Sequence, residues 1–150
     1  MAPPGRSANI IKYDIVRGES IVTLHILIAE DEQVIAMTLA DVLESEGFRV
    51  TLARDGREAL EAEDRDAADL LVTDMRMPVM GGAELIQAIR QRRPELPVIA
   101  ITGYSEATPA RESGRLAVLL KPFNLGTLVS EVRALTAGAV LSNGREATVD

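Results

Sequence analysis

The sequence predicts an α/β fold: a doubly wound parallel sheet of five strands with helices on both faces. Two observations carry this prediction. Five short apolar runs, each about as long as a buried strand, alternate with amphipathic stretches of helical period. Strands separated by helices are joined by right-handed crossovers, so they lie parallel, and a parallel sheet must be covered on both faces. A third observation sets the scale, because 150 residues, 47% of them hydrophobic, suffice for one domain with one core.

Each element has its own reason. Residues 1–22, with Pro3, Pro4, Gly5 and Ser7, read as a flexible N-terminal arm, although 10–16 has enough β-propensity to pair with something. The domain proper spans 23–137. Its first strand covers 24–29, and 33–46 then places Ile35, Leu39, Val42 and Leu43 on one helical face before a C-terminal cap at Gly47. A second strand at 50–53 precedes a short polar helix at 57–63, and 70–74 is the third strand. The helix at 83–92 turns Leu85, Ile86 and Ile89 inward and is stopped by Pro94. Residues 98–102 and 117–120 are the fourth and fifth strands, and 125–137 is a helix with Leu128, Val132 and Leu135 on its inner face. Alternation asks for one more helix within 103–116, yet Pro109, Gly114 and the polar composition make it short or disordered. Residues 138–150 read as a flexible C-terminal tail.

Composition excludes several functions. A formal net charge of −7 repels nucleic acid phosphates and acidic membranes, so neither is an expected partner. Without cysteine there is no disulfide scaffold, thiolate nucleophile or zinc–thiolate site. No apolar stretch approaches the roughly 20 residues that cross a bilayer, and none follows Arg6 and Lys12 as in a signal peptide. The expected compartment is the cytoplasm. No phosphate-binding glycine loop, dinucleotide fingerprint or zinc-helix motif is present. His25, the only histidine, lies upstream of the functional end of its strand and reads as structural. Met75, Met77 and Met80 read as packing, and Arg90, Arg92 and Arg93 as a solvated helix end.

In a doubly wound sheet, ligands bind beyond the carboxyl ends of the strands, where the strand order reverses. The first strand runs into Glu30 and Asp31, the third ends in Asp74, the fourth ends in Thr102 and the fifth runs into Lys121. Taken singly, each has an ordinary explanation. Glu30 and Asp31 suit the N-terminus of a helix, Thr102 suits a strand end, and Lys121-Pro122 suits a solvated turn. Together they put three carboxylates, a hydroxyl and an ammonium on one edge. Two carboxylates about 4 Å apart repel by roughly 4 kcal/mol at an effective dielectric of 20, so the cluster calls for a cation or a proton. Oxygen ligands without histidine or cysteine suit a hard cation, Mg²⁺ above all, with Mn²⁺ able to substitute. A cation, a carboxylate nucleophile, a hydroxyl and a lysine are the parts needed for phosphoryl transfer to aspartate.

Four ordered motifs then resemble the receiver domains of two-component signalling. They are Ile26-Leu27-Ile28-Ala29-Glu30-Asp31-Glu32, the run from Leu71-Val72-Thr73-Asp74 through Met75-Arg76-Met77-Pro78-Val79-Met80-Gly81-Gly82, Ile101-Thr102-Gly103, and Lys121-Pro122-Phe123. The likeness covers 24–137. It implies a flavodoxin-like sheet of order 2-1-3-4-5, with Asp74 as phosphoacceptor. It implies Mg²⁺ ligation by the side chains of Asp31 and Asp74 and the backbone carbonyl of Arg76, with Glu30 acting through a metal-bound water. It also implies that Thr102 and Lys121 bind phosphoryl oxygens and that Pro122 follows a cis peptide. The implied partners are a sensor histidine kinase and a histidine phosphotransfer protein. The chain would not be a conventional enzyme. It would catalyse its own phosphorylation from phosphohistidine and a slow autodephosphorylation.

The departures from the family narrow the reading. The family's fifth strand usually carries an aromatic switch residue three positions before its lysine, where Val118 stands here. The interval from Thr102 to Lys121 is short, and Gly81 replaces the usual acidic residue before Gly82. With Thr102-Gly103-Tyr104, these features resemble single-domain receivers that partner kinases of the HWE class. That likeness implies a mobile 103–116 segment and favours a monomer, with either Tyr104 or Phe123 as a replacement aromatic. Arg76 and Tyr104, each two residues past a site residue, are expected to overhang the phosphoryl group and slow its hydrolysis. With little chain after Ala137, a stand-alone phosphorelay intermediate or phosphate sink is the expected role. The alternative is a receiver-like interaction module indifferent to phosphate. A phosphatase of the aspartyl-phosphate class would need a second acid where Arg76 stands.

Overall fold

The computed structural model describes residues 13–16, 19–103 and 115–148, with side chains from 23 to 103 and from 115 to 137. Within the expected arm, β1 (Tyr13–Val16) and β2 (Glu19–Val22) pair antiparallel, Tyr13 opposite Val22. The β-propensity of that stretch is thus spent on a local hairpin. The chain continues through β3 (His25–Ala29), α1 (Gln33–Ser45), β4 (Arg49–Ala53), α2 (Gly56–Arg65), β5 (Leu70–Asp74), α3 (Gly82–Arg92), β6 (Val98–Thr102), β7 (Leu116–Leu120) and α4 (Leu125–Thr148). Strands β3 to β7 form one parallel sheet in the order β4-β3-β5-β6-β7, which is 2-1-3-4-5 counted within that sheet.

Alternation along the strands builds two cores. Successive strand residues point to opposite faces, so Ile26, Ile28, Leu70, Val72, Ile99 and Ile101 meet Leu39 and Leu43 of α1 and Leu128 and Val132 of α4. Leu27, Ala29, Leu71 and Val98 meet Ala59 and Ala62 of α2 and Leu85 and Ile89 of α3. Every residue of β3, β5 and β6 is buried, which accounts for their unbroken apolar runs. Gly47 ends α1 as expected, with φ of 95° and the Phe48 N–H returning to the Leu43 carbonyl at 3.1 Å.

Two expectations are corrected. The last helix does not stop at 137 but runs to Thr148, because each interior glycine costs a helix only about 1 kcal/mol and Gly138 and Gly144 are set against the helix formers Ala137, Ala139, Leu141, Arg145, Glu146 and Ala147. The arginines in and just after the last turn of α3 are not merely solvated. Arg93 Nη1 lies 2.7 Å from the buried Glu63 carboxylate, Arg92 pairs with Asp64 at 2.6 Å, and Arg90 donates to the Leu96 carbonyl at 3.0 Å. The helix expected within 103–116 falls on 104–114, outside the described residues, as does Tyr104. Among the described residues no helix is long and apolar enough to cross a membrane.

Candidate functional site

Parallel strands all end at one edge, so the sheet gathers there the residues at and just past each strand's carboxyl end. The Glu30 N–H donates to the Ala53 carbonyl at 2.9 Å, extending the β3–β4 ladder by one residue and fixing Glu30 beside the crevice between β3 and β5. Asp74 closes β5 opposite Ile101 of β6, and Thr102 stands opposite Leu120 of β7. The Lys121 N–H donates to the Thr102 carbonyl at 2.9 Å, and the Lys121-Pro122 peptide is cis, as the resemblance implied.

One carboxylate oxygen each from Glu30, Asp31 and Asp74 lies within 4.8 Å of the others. Glu30 and Asp74 are buried, while Asp31 opens to solvent. Lys121 Nζ sits 3.3 Å from Asp74 Oδ2, and the Arg76 N–H donates to Asp74 Oδ1 at 3.3 Å. Arg76 itself is exposed on the loop after β5. Thr102 is fully buried and its hydroxyl donates to the Gly103 carbonyl at 3.2 Å.

Glu30 separates a helix cap from a cation ligand. One of its oxygens does what a cap does, Oε2 accepting the Glu32 N–H at 3.0 Å just before α1. The other, Oε1, is buried and has no hydrogen-bond donor. Burial pushes the Glu30 carboxyl up from 4.5 to about 7; the Glu32 N–H opposes this, the Asp74 charge and the adjoining Asp31 carboxyl reinforce it, and Lys121 opposes it. An unsatisfied buried oxygen among negative charges is costly unless a cation or proton meets it. The donor set is oxygen only, so these residues fit a hard divalent cation.

The loop from β5 to α3 owes its path to two glycines. A Cβ on Gly82 would lie 2.5 Å from the Asp74 carbonyl oxygen, and one on Gly56 would lie 2.7 Å from that of Met80. Gly81 caps α3 without any side-chain bond, as expected for the missing acid. Val118 is buried in the α2–α3 core, and Phe123 is half-buried against the opposite core. Gly56 is absent from the residues the sequence singles out, although Asp55-Gly56 with Glu58 three residues after the aspartate is a legible helix start.

A model of the response regulator receiver domain matches residues 26–133, well over half of the chain. The chain belongs to that family. It is 34% identical over 118 residues to the transcriptional regulatory protein PdtaR of Mycobacterium tuberculosis, covering 76% of this chain and 57% of that one. The chain thus spans about half the length of the curated relatives it matches. Among solved structures, a receiver domain from Clostridium thermocellum superposes with a TM-score of 0.68 at 27% identity, covering 79% of this chain and 98% of that chain. The chemotaxis protein CheY4 of Vibrio cholerae gives 0.67 at 28% identity, covering 76% and 99%. Receiver domains are phosphorylated by histidine kinases and generally bind Mg²⁺ at an acidic pocket, which places this chain in two-component signalling.

Proposed function

We propose that this receiver accepts a phosphoryl group on Asp74 from the phosphohistidine of a sensor kinase, with Mg²⁺ held by Asp31, Asp74 and the Arg76 carbonyl and by Glu30 through water. The observation that carries the reading is the clustering of the Glu30, Asp31 and Asp74 carboxylates, with one Glu30 oxygen buried and unsatisfied and Lys121 Nζ 3.3 Å from Asp74. The bound cation would neutralise phosphoryl oxygens during transfer. The rest falls to the chain. An Asp74 carboxylate oxygen attacks phosphorus in line as the P–N bond to the histidine ring breaks, the electron pair leaving with the ring nitrogen. The rigid end of β5 holds that carboxylate in place. Lys121 exchanges its contact with Asp74 for one with the new phosphoryl group, and the Thr102 hydroxyl turns from the Gly103 carbonyl to donate to it. We further read the chain as a cytoplasmic, monomeric relay intermediate or phosphate sink working with HWE-class kinases.

Amide NMR with Mg²⁺ and then beryllofluoride tests this. Mg²⁺ should move Asp31, Asp74 and Arg76, and beryllofluoride should then move Thr102 and Lys121. Asp74→Asn should lose the beryllofluoride response and take no phosphate from acetyl phosphate. Silence of the wild-type site toward both probes would favour an interaction module that ignores phosphate.

A further inference from the structure

Gly56 opens α2, far in sequence from Asp74, yet it touches the loop that carries Arg76. The first N–H groups of a helix have no partner within it. That of Gly56 donates to the Met80 carbonyl at 2.9 Å. The helix start is itself held, with Asp55 Oδ1 accepting the Glu58 N–H at 2.9 Å and Glu58 Oε1 accepting the Arg54 N–H at 3.0 Å. The loop on the other side is closed by Gly82 N–H to the Met75 carbonyl at 3.1 Å and by Met80 N–H to the Pro78 carbonyl at 2.7 Å. Between those bonds runs Arg76, whose N–H meets Asp74 Oδ1.

The glycine is required for space. Of the described glycines only Gly47 has a positive φ, so the backbone at Gly56 would accept alanine. A Cβ there would stand 2.7 Å from both the Met80 Cγ and the Met80 carbonyl oxygen. The side chain can rotate away, but the carbonyl can retreat only if the loop moves with it.

We propose that Gly56 is a positioning residue for the acidic site. By letting the first N–H of α2 close on the Met80 carbonyl with no side chain between them, it sets where the 75–82 loop stands, and with it the Arg76 backbone, whose N–H meets Asp74 and whose carbonyl would serve the proposed cation. The inference rests on the Mg²⁺ site proposed above.

Mg²⁺ titrations followed by amide NMR, with thermal melts alongside, test it on wild type, Gly56→Ala and Glu61→Gly. Glu61 is exposed on the same helix and away from the loop, so Glu61→Gly weakens α2 by about 1 kcal/mol without touching Met80. Gly56→Ala should weaken Mg²⁺ binding about ten-fold, as loss of a residue supporting a metal ligand does, while Glu61→Gly stays near wild type. Equal weakening in both variants, or none in Gly56→Ala, overturns the proposal. Should Gly56→Ala not fold, the wild type decides: the Gly56 amide must shift on Mg²⁺ addition together with Arg76 and Met80. Movement of Arg76 with a silent Gly56 refutes the coupling, whereas no response anywhere at the site removes the underlying reading and the proposal with it.

Discussion

Replacing Glu30 by Gln removes one buried charge from the acidic edge and keeps its shape. The structure holds this carboxyl at about 7 in place of 4.5, chiefly through burial. At about 1.4 kcal/mol per pH unit, that gap corresponds to about 3 kcal/mol. Because the folded-state value lies above the unfolded one, the folded chain holds this proton more tightly. The stability it contributes is fully present below 4.5, declines as the pH rises, and is lost above about 7. Gln keeps an oxygen for the Glu32 N–H and offers an amide where Oε1 now lacks a donor. With chelator present, the stability of Glu30→Gln relative to wild type should therefore grow by up to about 3 kcal/mol between pH 4.5 and pH 8. In urea unfolding with a slope of about 2 kcal/mol/M, the midpoints should separate by about 1.5 M. Mg²⁺ at about 100 times its Kd should stabilise wild type by roughly 2.7 kcal/mol and Glu30→Gln by less, narrowing the gap. Parallel stability curves across that pH range in chelator would refute the reasoning, since Glu30 would then carry no penalty for a cation to relieve.

Three other substitutions probe the frame around the site. His25 is buried with Nε2 2.7 Å from Thr51 Oγ1 and Nδ1 3.1 Å from the Ala67 carbonyl, so His25→Leu should cost about 2 kcal/mol in urea unfolding and leave Mg²⁺ affinity unchanged. Arg93→Met leaves the Glu63 carboxylate, whose side chain is 4% exposed and whose Oε1 accepts the Ala68 N–H at 2.8 Å, without its Arg93 partner and should cost about 3 kcal/mol, much of it recovered in the Arg93→Met/Glu63→Gln double variant, whose amide oxygen can still accept that N–H; a full-cost double variant would assign the loss to the other contacts of Arg93. Val79, 76% exposed, has φ of 69°, a left-handed conformation that costs a β-branched residue about 1 kcal/mol, so Val79→Gly should raise the thermal midpoint, and a lowered midpoint would show a lost contact outweighing the strain.

Much of this protein is legible from residue pattern alone. Unbroken runs such as Leu70–Asp74 and Val98–Thr102 mark strands buried on two faces, and their bounds match the structure because nothing but a central parallel strand suits them. The acidic edge is legible for a related reason: parallel strands terminate together, so Glu30, Asp74, Thr102 and Lys121 have to converge once the order of elements is known. Local signals mislead where a distant group decides the outcome. Arg93 looks like any arginine capping a helix end until α2 presents Glu63 to it, and α4 outruns its expected end because glycine marks a helix end only on average. The tertiary structure alone decided that Glu30 bonds a backbone N–H through one oxygen and leaves the other without a donor, because that depends on how β3, β5 and α1 close around it. It alone brought Gly56 against Met80, a contact between chain segments that no periodicity encodes. Pattern records which groups reach an edge; how closely they stand, and which of their atoms are left without partners, depends on packing among elements distant in the chain.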